Sequence, residues 1–258
     1  MKFLDKLDSA VEKNSSLLCV GLDVDLSRIP PKFLTKEDPI FFFNKEIIDA
    51  TQDLVCAFKP NIAFYEMYGI YGLSSLIKTM EYLQQTDIPV ILDAKRGDVG
   101  HSSSAYAKSA FEVFKADAVT VNPYMGYDSV RPFLDYQEKG VFILCLTSNS
   151  GAKDFQNSGK DHPLYLAVAQ RVKEWNDAGN CGLVVGATKP EQLKEISEIV
   201  PGLPILIPGI GAQGGDLAAS VKFGGQRPIL NASRSILYAA DPKAEAKKLR
   251  DEINKYRS

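Results

Sequence analysis

Cysteine, histidine and long apolar segments are scarce in this sequence, and each scarcity excludes a class of protein. The 258 residues include four cysteines and two histidines. There is no CxxC pair and no histidine cluster near a cysteine, so reduced core thiols are expected rather than disulfides or a zinc site. No apolar stretch reaches about 18 residues, which argues against a membrane-spanning helix. Residues 1–14 lack the apolar core of a secretory signal, so we predict a cytoplasmic protein.

The charges are balanced and dispersed along the chain. There are 30 lysines and arginines against 32 aspartates and glutamates, without an extended run of one sign. A protein that binds a nucleic-acid backbone usually concentrates positive charge on one face. We therefore expect no nucleic-acid partner.

Short apolar runs alternate with longer amphipathic segments over the whole sequence. This alternation predicts strands and helices in turn, and therefore a parallel sheet. Eight strands are predicted, at residues 17–22, 55–60, 89–94, 118–122, 141–146, 182–186, 204–207 and 229–231. Eight helices are predicted, at residues 39–53, 62–84, 102–115, 127–138, 163–178, 190–199, 215–223 and 242–255. Eight βα units without a linker favour a single (β/α)8 TIM barrel over residues 1–258, although doubly wound folds share the local pattern.

Charged side chains stand at the ends of the first three predicted strands. The first ends near Asp23, the second near Lys59, and the third continues into the series Asp93, Lys95 and Asp98. Neighbouring strands lie about 4.8 Å apart, so these charges can meet at the mouth of a barrel, where catalytic residues are found. Asp93 and Lys95 point to the same face, but the flanking residues leave open which face that is. A structural ion-pair layer would also explain the alternating signs, but desolvating several charges is costly, so the cluster favours a catalytic site.

The loops after the seventh and eighth predicted strands indicate a phosphate site. Residues 208–216 contain four glycines, and Arg234 follows the eighth strand. Glycine lets backbone N–H groups approach an anion, and arginine can hold it through two charge-assisted hydrogen bonds. These two loops form the recurrent phosphate site of (β/α)8 barrels. A plain turn would also account for the glycines, and it is the pairing with Arg234 that indicates a phosphorylated ligand.

Two further loops are expected at the same end of the barrel. Residues 149–162 form a polar connection that is long for a βα loop, which is typical of a lid but also of a solvated insertion. Residues 122–126 either contact the ligand or only shape the wall. His101 and His162 have no partner at metal-ligand spacing, and surface positions are expected for both.

The ordered set of strand-end motifs resembles the orotidine 5′-phosphate decarboxylase family, in particular its longer bacterial-type branch. The resemblance spans nearly the whole chain and is carried by Gly21-Leu22-Asp23, Phe58-Lys59-Pro60-Asn61, Asp93-Ala94-Lys95-Arg96-Gly97-Asp98, Asn122-Pro123-Tyr124, Thr147-Ser148, Pro208-Gly209-Ile210-Gly211 and Ser233-Arg234. A DxKxxD run alone is shared with sugar-phosphate relatives, whereas the full set is far more specific. The resemblance implies a carboxy-lyase of UMP biosynthesis, a homodimer without metal or cofactor, that converts orotidine 5′-monophosphate to uridine 5′-monophosphate and CO2.

The resemblance also implies a catalytic network of Lys59, Asp93, Lys95 and Asp98, in which Asp98 reaches across a dimer interface into the partner's site. Loss of CO2 from C6 leaves electron density in the plane of the pyrimidine ring, where no carbonyl can absorb it. Fixed positive charge must stabilise that density, and nearby carboxylates keep a lysine protonated. Lys95 can then donate the proton to C6, while Asp93 near the substrate carboxylate would disfavour the ground state.

The rest of the substrate has implied partners too. The residues are Asp23, Ser102, Thr147, Ser148, Pro208, Gln213, Gly214, Ser233 and Arg234. By the same resemblance Asp23 and Lys59 would meet ribose hydroxyls, Gln213 and Arg234 the phosphate, and Thr147 or Ser148 the pyrimidine. 

Two positions depart from the family's usual motif. Ser102 stands where threonine is usual and keeps a hydroxyl, so a ribose contact from the partner subunit is still implied. His101 replaces a common asparagine.

Two other functions compete with this interpretation. A magnesium-dependent sugar-phosphate decarboxylase or aldolase of the same superfamily shares the DxKxxD run. Enzymes of that kind generally have a glutamate at the end of the second strand, where it helps to bind the metal. This chain has Lys59 there, and its positive charge opposes cation binding. A non-catalytic sensor of a phosphorylated ligand would keep the phosphate loops but would not need Asp93, Lys95 and Asp98 together. Turnover of orotidine 5′-monophosphate distinguishes these functions.

Overall fold

A ring of parallel strands forms the centre of the molecule in the computed structural model, which describes residues 1–159, 162–210 and 216–257. Within these ranges the strands are β1 (Leu18–Gly21), β2 (Ala57–Lys59), β3 (Ile91–Arg96), β4 (Ala118–Val121), β5 (Gly140–Leu146), β6 (Cys181–Val185), β7 (Pro204–Pro208) and β8 (Arg227–Ala232). They pair in parallel in the order β2-β1-β8-β7-β6-β5-β4-β3. Backbone bridges from Phe58 to Val90 and from Asn61 to Asp93 join β2 to β3 and close the ring. The predicted (β/α)8 barrel is confirmed.

Helices alternate with these strands. In the described ranges they are α1 (Phe3–Asn14), α2 (Pro31–Leu34), α3 (Pro39–Thr51), α4 (Ala63–Glu66), α5 (Gly69–Leu83), α6 (Gly100–Lys108), α7 (Tyr127–Leu134), α8 (Ala152–Phe155), α9 (Leu164–Glu174), α10 (Pro190–Ile199), α11 (Leu217–Phe223), α12 (Arg234–Leu237) and α13 (Pro242–Asn254). A 3₁₀-helix, Gln52–Leu54, continues α3, and a π-helix, Ser109–Val113, continues α6. Each predicted helix therefore has a counterpart, with differences at the ends.

Proline and aspartate define where two of the predicted helices begin. Pro190 and Pro242 occupy the first turns of α10 and α13, where the N–H that proline lacks would have no partner within the helix. Asp241 accepts the backbone N–H of Ala244 at 3.0 Å and caps α13. Lys189 precedes α10 without a side-chain cap.

The helix predicted at residues 62–84 is two helices. α4 ends at Glu66 and α5 begins at Gly69, whose φ of +61° lies in the left-handed region that the interior of a right-handed helix does not adopt. The prediction of one continuous helix was wrong because apolar residues continue on both sides of the break. The short α4 places Glu66 close to the end of β3, where it pairs with Arg96.

The interior of the barrel is apolar at its N-terminal end. One buried cluster takes a side chain from every strand, namely Cys19, Ala57, Ile91, Ala118, Phe142, Val184, Leu206 and Ile229, so it lies inside the ring. Phe3 and Leu7 of α1 join this cluster, and the Phe3 ring meets the Phe142 ring edge to face at 5.6 Å. α1 thereby closes the end of the barrel opposite to the charged residues described below.

The four cysteines are free and buried, as predicted. Burial raises the pKa of Cys19 to about 12, so the thiol stays protonated at neutral pH. No helix within the described ranges is long and apolar enough to cross a membrane.

Candidate active site

A network of three charged side chains lies at the C-terminal ends of β2 and β3. The Lys59 Nζ lies 3.0 Å from Asp93 Oδ2, and the Lys95 Nζ lies 2.6 Å from Asp93 Oδ1. Each carboxylate oxygen of Asp93 therefore accepts a hydrogen bond from one ammonium. The backbone bridge between Asn61 and Asp93 sets the register that brings Lys59 beside Asp93.

Two members of this network are almost fully buried. Lys59 is 3% exposed and Asp93 is 7% exposed, whereas the side chain of Lys95 is 46% exposed. Burial alone would lower the pKa of Lys59, but the carboxylates of Asp93 and Asp23 outweigh it and raise that pKa above its ordinary value. Burial alone would raise the pKa of Asp93, but Lys59 and Lys95 hold it well below its usual range. Lys59 and Asp93 are therefore an ion pair at neutral pH.

Lys95 has an irregular backbone although it lies within β3. Its φ is +46°, and the pairing of β3 with β4 shifts between Leu92 and Arg96. A lysine in the left-handed region costs roughly 1–2 kcal/mol, so its surroundings must hold it there. The Lys95 N–H donates to Thr120 Oγ1 at 2.9 Å, and the same hydroxyl donates to Asp93 Oδ1 at 2.8 Å. Thr120 has no role in the sequence-based prediction.

Asp98 and Ser102 do not join this network within one chain. Asp98 follows β3, and its Oδ1 accepts the backbone N–H of Val99 at 2.8 Å. No ion pair among the described residues connects Asp98 to Lys59 or Lys95, which both pair with Asp93. Ser102 is exposed on α6. One chain thus brings together three of the four predicted catalytic residues.

Asp23 follows β1 and presents an unpaired acceptor. Its Oδ1 is buried and has no hydrogen-bond partner in the part of the chain that the structure describes. A buried acceptor without a partner is costly, and such groups often mark the place of a ligand. The carboxylate also contributes to the raised pKa of Lys59, so Asp23 lies close to the network.

Two tyrosines fix the segment that carries Asp23. The Tyr65 hydroxyl, fully buried, donates to the Leu22 carbonyl at 2.8 Å. The Tyr238 hydroxyl donates to the Asp23 carbonyl at 3.2 Å and accepts the Asp25 N–H at 2.9 Å. The backbone on both sides of the Asp23 carboxylate is therefore held by the rest of the barrel.

A cavity of about 190 Å³ adjoins the network and is lined by Asp23, Lys59, Asn61, Asp93, Pro208, Gly209, Ile210, Asn231, Ser233 and Arg234. Asn231 is 6% exposed, and its Oδ1 has no partner among the described residues. Sequence reasoning gave no role to Asn61 or Asn231. The signal was present, because a polar side chain at the end of an apolar strand is also what singled out Asp23 and Lys59.

The far side of this cavity contains three of the residues predicted to bind the substrate, Pro208, Ser233 and Arg234. Gly21 makes room for one of them, since a Cβ at that glycine would lie 1.9 Å from the Ser233 Oγ. Gln213 and Gly214, also predicted for this side, lie outside the described residues.

Thr147 and Ser148 follow β5, next to the predicted lid. The Thr147 N–H donates to Gln156 Oε1 at 2.8 Å, and Gln156 Nε2 donates to the Thr147 hydroxyl at 2.9 Å. Gln156 directly follows α8, so the lid segment is tied to the end of β5. Ser148 packs against Gly186, where a Cβ would lie 2.9 Å from the Ser148 Cβ. Residues 160 and 161 of the predicted lid are outside the described ranges.

Ligands for a metal ion do not gather in the described part of the chain. No group of three or more histidine, cysteine, aspartate or glutamate side chains there has the arrangement to hold a metal. His101 and His162 are both exposed, as predicted. At the end of β2 the Lys59 ammonium places positive charge beside Asp93, which opposes cation binding.

Fold and site together define the class of protein. Neighbouring strands of a (β/α)8 barrel bring opposite charges to its C-terminal mouth, beside a cavity with unpaired acceptors, which is the arrangement of a barrel enzyme. The chain matches the family described as "Orotidine 5'-phosphate decarboxylase / HUMPS family" over residues 16–249.

Named relatives agree with that match. The orotidine 5′-phosphate decarboxylase of Ralstonia nicotianae is 46% identical over 275 residues, with 100% of each chain covered. That of Cellvibrio japonicus is 49% identical over 271 residues, with 98% of each chain covered. The chain belongs to the orotidine 5′-phosphate decarboxylase family. The predicted family and its carboxy-lyase function are confirmed, and these relatives give no support to the magnesium-dependent alternative.

Solved structures lead to the same family. The OMP decarboxylase of Leishmania donovani has a TM-score of 0.88 and 42% identity, with 100% of this chain and 99% of that chain covered. The UMP synthase of Leishmania donovani has a TM-score of 0.91 and 44% identity, and all of this chain covers 57% of that longer chain.

Proposed function

We propose that Lys59, Asp93 and Lys95, with Asp98 of the partner subunit, decarboxylate orotidine 5′-monophosphate to uridine 5′-monophosphate and CO2. The observation that carries this proposal is the partly buried ion-pair network, in which Asp93 holds one ammonium on each carboxylate oxygen. Charges fixed before the substrate arrives need no reorganisation during the reaction, and that is the most effective form of electrostatic catalysis.

Lys95 supplies both the charge and the proton. When the bond from C6 to the carboxylate breaks, CO2 leaves and the electron pair stays on C6. The Lys95 ammonium, fixed by Asp93, stabilises that pair and then donates a proton to form the C6–H bond. Lys95 becomes neutral and regains a proton from water, for which its 46% exposed side chain is accessible.

Asp93 and Lys59 have supporting roles. Because Lys59 and Lys95 keep the pKa of Asp93 low, its carboxylate remains charged when the substrate carboxylate arrives beside it. Repulsion between the two carboxylates is relieved when CO2 leaves. Lys59 is the buried anchor that keeps Asp93 in place.

The remaining predicted residues are proposed to bind the parts of the substrate that do not react. Asp23, with its unpaired Oδ1, accepts a hydrogen bond from a ribose hydroxyl. Thr147 and Ser148 meet the pyrimidine. The phosphate is bound by Gln213 and Arg234, and Pro208, Gly214 and Ser233 also contact the substrate. Binding energy from the phosphate, far from C6, helps to order the network and the lid.

A homodimer with shared sites is part of the proposal. No ion pair among the described residues joins Asp98 to Lys95 of its own chain, and Asp98 stands beside Val99, which is 49% exposed. Arg96, between β3 and this segment, contacts Glu66 at the start of the α4–α5 break and lies over the Tyr106 ring of α6. Exposed apolar side chains beside a catalytic segment are typical of an interface. The exposed Ser102 of α6 would then reach the ribose in the partner's site.

Turnover of orotidine 5′-monophosphate tests the proposal directly. We expect the purified chain to release CO2 and form uridine 5′-monophosphate, and Lys95→Ala to be nearly inactive. Lys13→Ala is the matched control, because that lysine is exposed on α1 at the opposite end of the barrel.

Chelation tests the absence of a metal from the mechanism. We expect full activity after exhaustive treatment with EDTA, since the positive charge comes from lysine. Loss of activity that magnesium restores would contradict the proposal and favour the sugar-phosphate alternative.

A cytoplasmic location is also proposed. Four free, buried thiols support it, because cysteines remain reduced in that compartment. Fractionation of cells that express the full chain would test it.

A further inference from the structure

We infer that Thr120 is a positioning residue for the decarboxylation, because its one hydroxyl fixes the Lys95 backbone relative to the Asp93 carboxylate. This inference depends on the proposed role of Lys95 as the proton donor. Thr120 itself is not proposed to touch the substrate.

The geometry gives the hydroxyl two defined partners. Thr120 lies in β4 and is 1% exposed. Its Oγ1 accepts the Lys95 N–H at 2.9 Å and donates to Asp93 Oδ1 at 2.8 Å. A hydroxyl has one hydrogen to donate, so both partners are served without conflict. Water has little access to replace it at this burial.

These contacts form a closed ring that begins and ends at Lys95. The Lys95 N–H bonds to Thr120, Thr120 bonds to Asp93, and Asp93 Oδ1 bonds back to the Lys95 Nζ at 2.6 Å. The ring therefore couples the backbone of the proton donor to the position of its own ammonium. A carboxylate held by Lys59 alone would leave that backbone without this constraint.

The irregular strand explains why the constraint is needed. Regular pairing of β3 with β4 breaks after Leu92 and resumes at Arg96, which pairs with Val121. Lys95 falls in the gap with a φ of +46°, in a region that lysine rarely adopts. In place of a ladder partner, its N–H has the Thr120 hydroxyl. Strained backbone of this kind persists only where the surrounding contacts over-determine it.

Valine at position 120 would keep the shape of the side chain and remove both hydrogen bonds. The Lys95 backbone could then relax, and its ammonium would move relative to C6. A displacement of about 1 Å at a reacting group can cost on the order of 100-fold in rate. We expect Thr120→Val to lower kcat about 10- to 100-fold with little change in KM, since the groups that bind ribose and phosphate are untouched.

The experiment compares three variants. Thr120→Ser keeps the hydroxyl and is expected to retain most of the kcat. Thr51→Val is the matched control, because Thr51 is equally buried and its hydroxyl donates to Ile47 O at 2.7 Å in α3, away from the site. Each variant is measured for kcat, KM and Tm, and for the hydrogen-exchange rate of the Lys95 amide, which is expected to rise in Thr120→Val alone.

The outcomes separate this inference from the proposed function. Wild-type kcat in Thr120→Val, equal loss in the serine variant, or an unchanged Lys95 amide exchange rate would each overturn the positioning role. If Thr120→Val and Thr51→Val show the same loss of kcat together with the same fall in Tm, the loss reflects general destabilisation, and the positioning role is likewise overturned. If instead Lys95→Ala keeps wild-type turnover, the proposed function fails, while the amide exchange still reports whether Thr120 holds the Lys95 backbone.

Discussion

Asp93 links the stability of the barrel to the chemistry of its mouth. It is buried, pairs with two lysines and accepts the Thr120 hydroxyl. Its carboxylate is useful to the fold only while it is ionised, because Lys59 is buried beside it and would otherwise lack a counter-charge. Removing one partner of a buried pair typically costs about 3–5 kcal/mol.

Asp93→Asn should therefore destabilise the protein by about 3–5 kcal/mol at pH 7, in a way that depends on pH. The folded-state pKa of Asp93 is depressed, so its contribution is complete above the unfolded-state pKa of about 3.9 and is lost as pH falls toward the folded-state pKa. The difference in unfolding free energy between wild type and variant should narrow below about pH 4. Urea denaturation across this pH range measures it.

Asp87→Asn provides the control for that series. Asp87 pairs with Lys13, but its side chain is 86% exposed, so the loss should stay below about 1 kcal/mol. If the difference in unfolding free energy between wild type and Asp93→Asn is small at pH 7, or does not change with pH, the role given to this carboxylate is contradicted.

At the residue scale, the sequence predicts where side chains lie better than it predicts the conformation of the backbone. The alternation of a strand placed Asp93 and Lys95 on one face, and the adjacency of strands brought Lys59 toward them. The left-handed φ of Lys95 was not predictable, because no glycine or asparagine at that position signals it. Thr120 was missed for a related reason, since threonine in a strand is ordinary and its hydroxyl partners belong to the neighbouring strand.

The segment after β1 is positioned by elements that lie far from it in sequence. Tyr238 bonds to the Asp23 carbonyl and the Asp25 N–H, and its ring stacks on Phe43 at 6.0 Å. The ring contact would survive the loss of the hydroxyl. The hydrogen bonds would not, and the Asp23 carboxylate would lose part of its support.

Tyr238→Phe is expected to raise KM about fivefold, which corresponds to the roughly 1 kcal/mol of a typical hydrogen bond, with a smaller change in kcat. The reason is that Asp23 is proposed to bind ribose rather than to act at C6. Steady-state kinetics with orotidine 5′-monophosphate measures both constants. Tyr136→Phe, which loses a hydrogen bond to the exposed Glu112 on the outside of the barrel, should leave KM unchanged. A fall in kcat alone would show that Asp23 acts at another step.

At the element scale, apolar runs predicted all eight strands because each is buried on the sheet. The helices were harder to predict from the sequence. α1 was not predicted, since its apolar residues Phe3 and Leu7 are interleaved with charges and their partners lie inside the barrel. The break before Gly69 was hidden for the opposite reason, because its apolar surroundings continue the helical pattern.

Under the proposed shared-site dimer, the assembly determines whether the site is complete. Among the described residues no ion pair joins Asp98 to the network within one chain, and we propose that this fourth member comes from a second copy. In a closed two-fold dimer, each site would then combine Lys95 from one subunit with Asp98 from the other. Such an arrangement predicts complementation between two inactive variants.

Lys95→Ala and Asp98→Ala homodimers should each be nearly inactive. After subunit exchange at equal amounts, about half of all dimers are heterodimers, in which one site carries both lesions and the other carries neither. About a quarter of all sites become intact, so activity should rise toward one quarter of the wild-type value. Activity is followed during exchange, with heterodimers verified by native mass spectrometry.

A mixture of Lys95→Ala with Lys95→Met is the control, since every heterodimer site would still lack the lysine. Recovery in that mixture would expose an artefact. If verified Lys95→Ala/Asp98→Ala heterodimers stay inactive, Asp98 works in its own subunit or the shared-site dimer is wrong.

The ring of strands is thinnest between β2 and β3, where isolated bridges replace a ladder. Lys59 belongs to β2 and Asp93 to β3, so their ion pair also helps to hold these two strands together and to keep the barrel closed. On gradual heating, β2 and β3 should separate before the other strand pairs do. We expect turnover to fade at temperatures where the circular dichroism is still native, and a ligand that bridges both strands to delay that loss. The enzyme would then lose activity through local separation of β2 and β3 before it unfolds globally.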